Sequence, residues 1–108
     1  MEESLKKATT EMMILHILGE EETYIGRAVQ EISRRTDGKL SIVFPYAAIY
    51  RLLDDGYIEE CKKRVAPDGR RRQYLRITEP GKKYLADLEE TYHWFIQAVE
   101  EVLTKGER

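Results

Sequence analysis

The spacing of apolar residues along the chain predicts three short helices, two alternating strands and a long final helix. Ile25, Ala28, Val29 and Ile32 recur at the i, i+3, i+4, i+7 spacing of a helix with one buried face. Thr23 stands where a side chain can cap the start of this second helix. The pattern therefore places the second helix immediately after Thr23.

The first helix, predicted within "TTEMMILHILGE", is apolar almost all around its axis. Thr9 or Thr10 can cap it, and an earlier start stays open. A helix that is apolar on most sides must be covered on most sides, and one small domain covers one side. The pattern therefore predicts a second packing surface against the residues Met12, Met13, Ile14, Leu15, Ile17 and Leu18.

The third helix is predicted within "PYAAIYRLLDDG", because proline suits a first helical turn and glycine suits the position after the last one. Ile49, Leu52 and Leu53 fall on its buried side. The side that points away from the core carries Ala47, Tyr50, Arg51 and Asp54.

Two alternating segments, 57–65 and 70–78, flank "APDG", which is typical of a hairpin turn. Leu75 and Ile77 fall on one face of the second strand, so the core lies under its base. The tip is too basic to be buried and is expected in water. The opposite face carries Arg70, Arg72, Tyr74 and Arg76.

The last helix is predicted after Thr78, a good N-cap. Its apolar residues step by three and four, as in a coiled-coil seam along which another helix packs. Trp94 points about 130° away from this seam at 100° per residue, among Asp87, Glu90 and Glu101. The seam residues are Leu85, Leu88, Tyr92, Phe95, Val99 and Val102.

The charge distribution changes the interpretation of an acidic chain. The 108 residues carry a net charge of -2, yet residues 62–78 hold seven basic side chains and one acidic one. A local field of this kind decides where a polyanion docks. The length fits one domain, and the single cysteine and the lack of a long apolar run argue against a disulfide scaffold or a membrane span. We expect a cytoplasmic protein.

The chain lacks a combination of nucleophile, base and orienting group, a phosphate-binding glycine loop, or His and Cys at metal-ligand spacing. We therefore predict a protein that is not an enzyme and needs no cofactor or metal. Cys61 reads as a half-buried strand residue. A redox thiol is the lesser alternative, supported only by Lys62 and Lys63, which can lower its pKa.

Three helices followed by a basic hairpin is the order of a winged helix-turn-helix, in which the third helix enters the major groove of DNA and the wing lies on the backbone. The predicted fold class is mainly α with a small β-hairpin (α+β). Within a single compact unit, residues 1–78 are expected to form the DNA-binding region and residues 79–108 the dimerisation helix.

The chain resembles the PadR-like transcriptional regulators from about residue 8 to residue 103. The resemblance rests on "ILHILGEEETYIGRAVQEI", "FPYAAIYRLLDDGYIEE" and "DGRRRQYLRITEPGKKYL". Tyr46, ten residues before Gly56, matches the tyrosine of the family's recognition helix. The chain departs from the family pattern at Ile25-Gly26, Pro45 and Leu75.

The resemblance implies a homodimer in which the last helix packs against the partner, including its first helix, where Met13 is a candidate contact. It also implies a repressor on a pseudo-palindromic operator, released by a small molecule or a changed physiological state. Trp94 either packs against the partner or lines a cavity for a flat aromatic or cationic ligand.

Candidate contacts with double-stranded DNA lie on the third helix and on the wing. Tyr46 and Tyr50 either read base edges or, equally, pack beneath the wing, and the Ala47 methyl group can meet a thymine methyl group. Arg51 suits phosphate better than a base. Arg70, Arg71 and Arg72 suit phosphates. Weaker backbone candidates are Lys39, Arg34, Arg35, Lys62 and Arg64.

A winged-helix module that binds an acidic protein instead of DNA is the alternative. It is favoured by a third helix with only one basic residue, Arg51, next to Asp54 and Asp55. The basic wing, the arginines flanking the second helix and the two signs of dimerisation favour the DNA-binding regulator.

Overall fold

The computed structural model describes the backbone of residues 2–106 and the side chains of residues 9–106. Four helices and one hairpin follow each other in the predicted order, which confirms the fold class. The elements are α1 (Glu2–Glu20), α2 (Ile25–Arg35), α3 (Tyr46–Asp54), β1 (Ile58–Val65), β2 (Arg71–Ile77) and α4 (Glu79–Lys105).

The core lies where the first three helices meet the base of the hairpin. Ile14 and Leu15 of α1 are fully buried, as are Leu52 of α3 and Ile58 of β1. Leu75 of β2 is 4% exposed, so the inward face predicted for this strand is confirmed. This packing holds α3 and the hairpin side by side on one body.

The earlier start left open for the first helix is the correct one, whereas the predicted cap of the second helix differs from the structure. α1 begins at Glu2, so Thr9 and Thr10 lie inside the helix. Tyr24, not Thr23, is the N-cap of α2, and it makes no side-chain cap. Thr23 is buried and extended because its N–H and carbonyl pair with the carbonyl and N–H of Leu75, at 3.2 and 2.8 Å.

The hairpin is an antiparallel pair that begins at Ile58↔Ile77 and ends at Val65↔Arg71. Its register shifts by one residue between Glu60 and Lys63, where a bulge bends the strand. Gly69 has a φ of 83°, a left-handed conformation that favours glycine, and this allows the tight turn at the tip. The hairpin therefore projects as a wing beside α3.

The start of α4 locks the last helix to the hairpin. The Thr78 hydroxyl accepts from the Gly81 N–H at 3.1 Å and donates to the Gly56 carbonyl at 2.7 Å. The 27 residues of α4 span about 40 Å, and the molecule measures 59 × 30 × 21 Å. No helix among the described residues combines the length and apolar character needed to cross a membrane.

Gly81 is buried where α4 crosses the base of the hairpin. A Cβ there would collide with the Tyr57 carbonyl and lie 2.8 Å from Ile77 Cγ1. We expect Gly81→Ala to lower the free energy of unfolding in urea by about 1–3 kcal/mol or more, because backbone must move to admit the methyl group. Gly19→Ala is the matched control, since its Cβ would meet Leu85 at an ordinary 3.8 Å. Equal stability of the two variants would contradict this packing.

Candidate nucleic-acid interface

The outer face of α3 is open to solvent. Tyr46 and Tyr50 are 53% and 61% exposed, and their rings lie 6.4 Å apart. Ala47 is also exposed, while Ala48 and Leu52 are buried on the opposite side. In this chain the two tyrosines do not pack beneath the wing, so their hydroxyls and ring edges are available to another molecule.

Arg51 also lies on α3, but it is held by the protein itself. Its guanidinium forms an ion pair with Glu11 of α1. The same carboxylate accepts a hydrogen bond of 3.1 Å from the Tyr84 hydroxyl of α4. Glu11 thus joins three helices, and Arg51 must leave this pair before it can reach a phosphate or a base.

Tyr84 gives this junction a pH dependence. Burial and the hydrogen bond to Glu11 raise the pKa of Tyr84 above its ordinary value. A raised folded-state pKa means that the stabilisation is present below the unfolded pKa of about 10 and is lost as the pH rises through the folded pKa. We expect the stability gap between wild type and Tyr84→Phe, measured by urea unfolding, to shrink between about pH 8 and about pH 11. A gap that does not change with pH would contradict this role of the phenol.

The wing tip presents two unpaired guanidinium groups. Asp68 accepts the backbone N–H of Arg70 at 3.0 Å, which orders the turn. The side chains of Arg70 and Arg71 are exposed, and no carboxylate among the described side chains pairs with them. Both are therefore available to an anion.

The third predicted wing arginine has a different position. Arg72 donates to Asp68 Oδ2 at 2.6 Å, and its guanidinium carbon lies 5.2 Å from the centre of the Tyr24 ring. The bond to Asp68 is the main cause that raises the pKa of Arg72, and Tyr24 and Tyr46 add to it. Arg72 therefore fixes the wing against α2 and the tyrosine face of α3.

The other basic residues of the hairpin also fall into two groups, those paired with a carboxylate and those that are exposed without such a partner among the described side chains. Arg64 pairs with Glu22 and lies 4.1 Å over the ring of Tyr74. Arg76 pairs with Glu59 at 2.6 Å. Lys62 and Lys63 are exposed, and like Arg70 and Arg71 they have no carboxylate partner among the described side chains.

The basic residues at the end of α2 are neutralised locally. Arg34 and Arg35 both bind Glu31, at 2.6 and 2.8 Å, and Arg35 also binds Glu20. These bonds lower the pKa of Glu31 to about 2. Lys39, in the loop after α2, is exposed. Of these candidates Lys39 is the one that needs no ion pair to open before it meets a phosphate.

Sequence reasoning missed two exposed apolar residues just before α3. Val43 is 68% exposed and Phe44 is 84% exposed. Apolar residues beside a proline read as core, so the sequence carried no signal for their exposure. Glu11 was missed as well, because an acidic residue in a helix reads as a solvated position.

Cys61 is a partly buried strand residue, as predicted. Burial is the main cause that raises the pKa of its thiol, and Glu22 adds to the effect. The expectation that Lys62 and Lys63 lower this pKa is therefore wrong.

A second open surface lies between α1 and α4. A groove of about 440 Å³ runs between Met12 of α1 and Tyr92, Phe95 and Ile96 of α4. Phe95 is 57% exposed, and Val102 further along is 72% exposed. Leu85 and Leu88, at the start of the seam, instead pack against the chain's own core.

The arrangement of α3 beside a basic wing matches a known family. A family model described as the transcriptional regulator PadR-like family matches residues 14–87, well over half of the chain. The chain belongs to the PadR-like family. The match covers the end of α1, the helices α2 and α3, the wing and the first part of α4 of this PadR-like protein, and it confirms the resemblance seen in the sequence.

Individual relatives agree with the family match. An uncharacterised protein of Lysinibacillus sphaericus is 38% identical over 78 residues, which cover 70% of this chain and 71% of that protein. A transcriptional regulator from Clostridium thermocellum is 26% identical with a TM-score of 0.80, over 91% of this chain and 96% of that chain. This chain is thus a transcriptional regulator by family.

A further solved structure supports the fold alone. The PadR-like transcriptional regulator from Bacillus cereus is 21% identical with a TM-score of 0.76, and the match covers 94% of this chain and 97% of that chain. Members of the PadR-like family are, in general, transcriptional regulators rather than enzymes. The winged helix followed by a long C-terminal helix is therefore the shared architecture.

Proposed function

We propose that this PadR-like chain is a sequence-specific DNA-binding repressor that acts as a homodimer on a pseudo-palindromic operator. The observation that carries the proposal is the pair of free guanidinium groups, Arg70 and Arg71, on a wing that stands beside the exposed tyrosine face of α3. In a winged helix the wing meets phosphates while the third helix enters the major groove. Lys39, Lys62 and Lys63 add unpaired positive charge that can extend the contact along the backbone.

The exposed part of α4 supports the homodimer. Residues 79–108 would form the dimerisation helix, and residues 1–78 the DNA-binding region. Phe95 and Val102 are large apolar side chains in water, and Met12 and Met13 border the same surface. A two-fold axis would bury this surface twice and present two α3 helices to two half-sites.

Trp94 supports an effector site on the same helix. Its indole is 66% exposed, and planar cationic dyes are the natural probes for an indole near acidic residues. We expect such a dye to quench Trp94 fluorescence in the assembled protein, and the charge-reversing variant Glu90→Lys to weaken the quenching. Unchanged fluorescence at saturating dye would count against a ligand role and leave packing against the partner.

One observation favours the alternative, a winged-helix module that binds a protein in the cytoplasm. The only basic residue of α3, Arg51, is engaged by Glu11, so the helix offers no free cation to DNA. An acidic partner on the wing would use the same Arg70 and Arg71.

Selection of duplexes from a random pool separates these functions. We expect enrichment of an inverted repeat whose half-sites lie about 34 Å apart or at a multiple of that distance. Enrichment of no sequence, with weak binding to every duplex, would overturn the regulator and favour the protein-binding module.

A further inference from the structure

The loop before α3 presents the phenyl ring of Phe44 to solvent. The ring lies at the N-terminal end of α3, the helix that would enter DNA. Ile42 and Pro45 are buried on either side of the loop and anchor it. Between them Val43 is 68% exposed and Phe44 is 84% exposed. The anchors hold these two side chains outward at the N-terminal end of α3.

This pair extends the exposed face of α3. Tyr46 and Tyr50 follow on the helix with rings 6.4 Å apart. Together with Ala47, these residues form an apolar and aromatic strip, which we define as Val43, Phe44, Tyr46, Ala47 and Tyr50. The strip offers tyrosine hydroxyls and carbon surface, and it offers no amide or free guanidinium group.

The composition of the strip limits how it can read a base pair. Guanine is usually read by a bidentate arginine or lysine, and adenine by asparagine or glutamine. The only such side chain on α3 is Arg51, which is bound to Glu11. Carbon surface in the major groove has one natural target, the C5 methyl group of thymine.

The neighbouring charge identifies the occupant of the strip. Tyr46 lies close enough to Arg72 of the wing to interact with its charge, and the free Arg70 and Arg71 continue from Arg72 along the wing tip. An apolar strip next to unpaired cations fits a polyanion that also carries methyl groups in a groove. Duplex DNA has both features, whereas an acidic protein surface lacks the regular row of phosphates.

We propose that Phe44, supported by Val43, is a specificity-determining residue that contacts thymine methyl groups in each half-site of the operator. This inference rests on the proposed function and adds the base that the loop recognises. Through this methyl contact, Phe44 distinguishes thymine from cytosine and from uracil at the base pair that faces the start of α3. The tyrosines contribute hydroxyl contacts to the neighbouring bases.

The test removes the methyl group and the phenyl ring separately. A selected duplex is compared with duplexes in which single thymines are replaced by uracil, which keeps every Watson–Crick hydrogen bond. We expect replacement of the contacted thymine in one half-site to weaken wild-type binding by about fourfold, the effect of one buried methyl group, and replacement in both half-sites to weaken it by about fifteenfold. Phe44→Ala should bind the thymine duplex more weakly and lose the difference between thymine and uracil.

Two controls separate this inference from the rest. Phe44→Leu keeps a smaller apolar contact and should retain part of the discrimination. Thermal unfolding of Phe44→Ala should match wild type, because the side chain is 84% exposed. If wild type selects a duplex but binds thymine and uracil versions equally, or if Phe44→Ala keeps the full difference, the inference is overturned while the proposed function stands. If wild type binds no duplex selectively, both are overturned.

Discussion

Replacing Arg70 and Arg71 with alanine is expected to weaken operator binding by about tenfold or more at moderate salt and to flatten its salt dependence. These two side chains are exposed at the wing tip and have no carboxylate partner among the described residues. Among the described side chains no ion pair has to open before these two arginines pair with phosphates. The same freedom means that their removal should leave the fold unchanged.

The salt dependence gives the sharper readout. Each phosphate contact that is lost lowers the slope of log affinity against log salt by about 1. A dimer carrying the double variant loses four guanidinium groups, so we expect the slope to fall by about 4. Fluorescence anisotropy across a range of salt concentrations measures both the affinity and the slope.

Arg76→Ala is the matched control for the wing. It removes one positive charge from β2, as the single variant Arg71→Ala does, but Arg76 is paired with Glu59 at the base of the hairpin. We expect a smaller loss of affinity and little change in slope. Arg72→Ala should instead loosen the wing, because Arg72 holds the turn residue Asp68 and packs over Tyr24 just before α2. Equal effects of Arg76→Ala and Arg71→Ala would show that total charge matters and that the wing tip has no special role.

Phe95→Glu is expected to convert the dimer to a monomer and to abolish tight operator binding. Burial of a phenylalanine side chain contributes about 1.5–3 kcal/mol, and a two-fold interface contains the residue twice. Because Phe95 is 57% exposed in the single chain, the interface can bury only that remaining part of each side chain. The loss is then about 2–3 kcal/mol, roughly 30- to 150-fold in the dimer dissociation constant, before the charge of glutamate is counted. A monomer holds one half-site only, so its affinity for the full operator falls further.

The position of Phe95 makes this variant easy to interpret. The side chain is 57% exposed in the single chain, so the monomer should fold normally by circular dichroism. Gln97→Glu changes the charge by the same amount about 200° around the helix and should stay dimeric. Light scattering after size-exclusion chromatography gives the mass of each variant in solution. A dimeric Phe95→Glu variant would place the interface elsewhere.

The order of the elements was predictable from local patterns. The i, i+3, i+4 spacing of α2, the proline and glycine around α3 and the alternation around Leu75 each reflect burial against a neighbour in the fold. The seam of α4 was found in the same way, but its two halves have different surroundings in the single chain. Leu85 and Leu88 pack on the chain's own core, and Phe95 and Val102 remain exposed.

The interface was only partly predictable, because long-range ion pairs leave no local pattern. Arg51 meets Glu11, which lies 40 residues earlier in the chain, and Arg35 meets Glu20 at the end of α1. In the hairpin, the long-range pair of Arg64 with Glu22 separates an engaged arginine from the free ones at the tip in the same way. The exposure of Phe44 also depends on the burial of its neighbours Ile42 and Pro45, which alternation does not reveal in a short loop.

The most direct test of the regulator is an anisotropy titration of wild type against a duplex taken from upstream of its own gene, with a scrambled duplex beside it, at two salt concentrations. We expect tight binding that prefers the native duplex and weakens steeply as salt increases. Weak binding to both duplexes, with no preference at either salt concentration, would contradict a sequence-specific DNA-binding function.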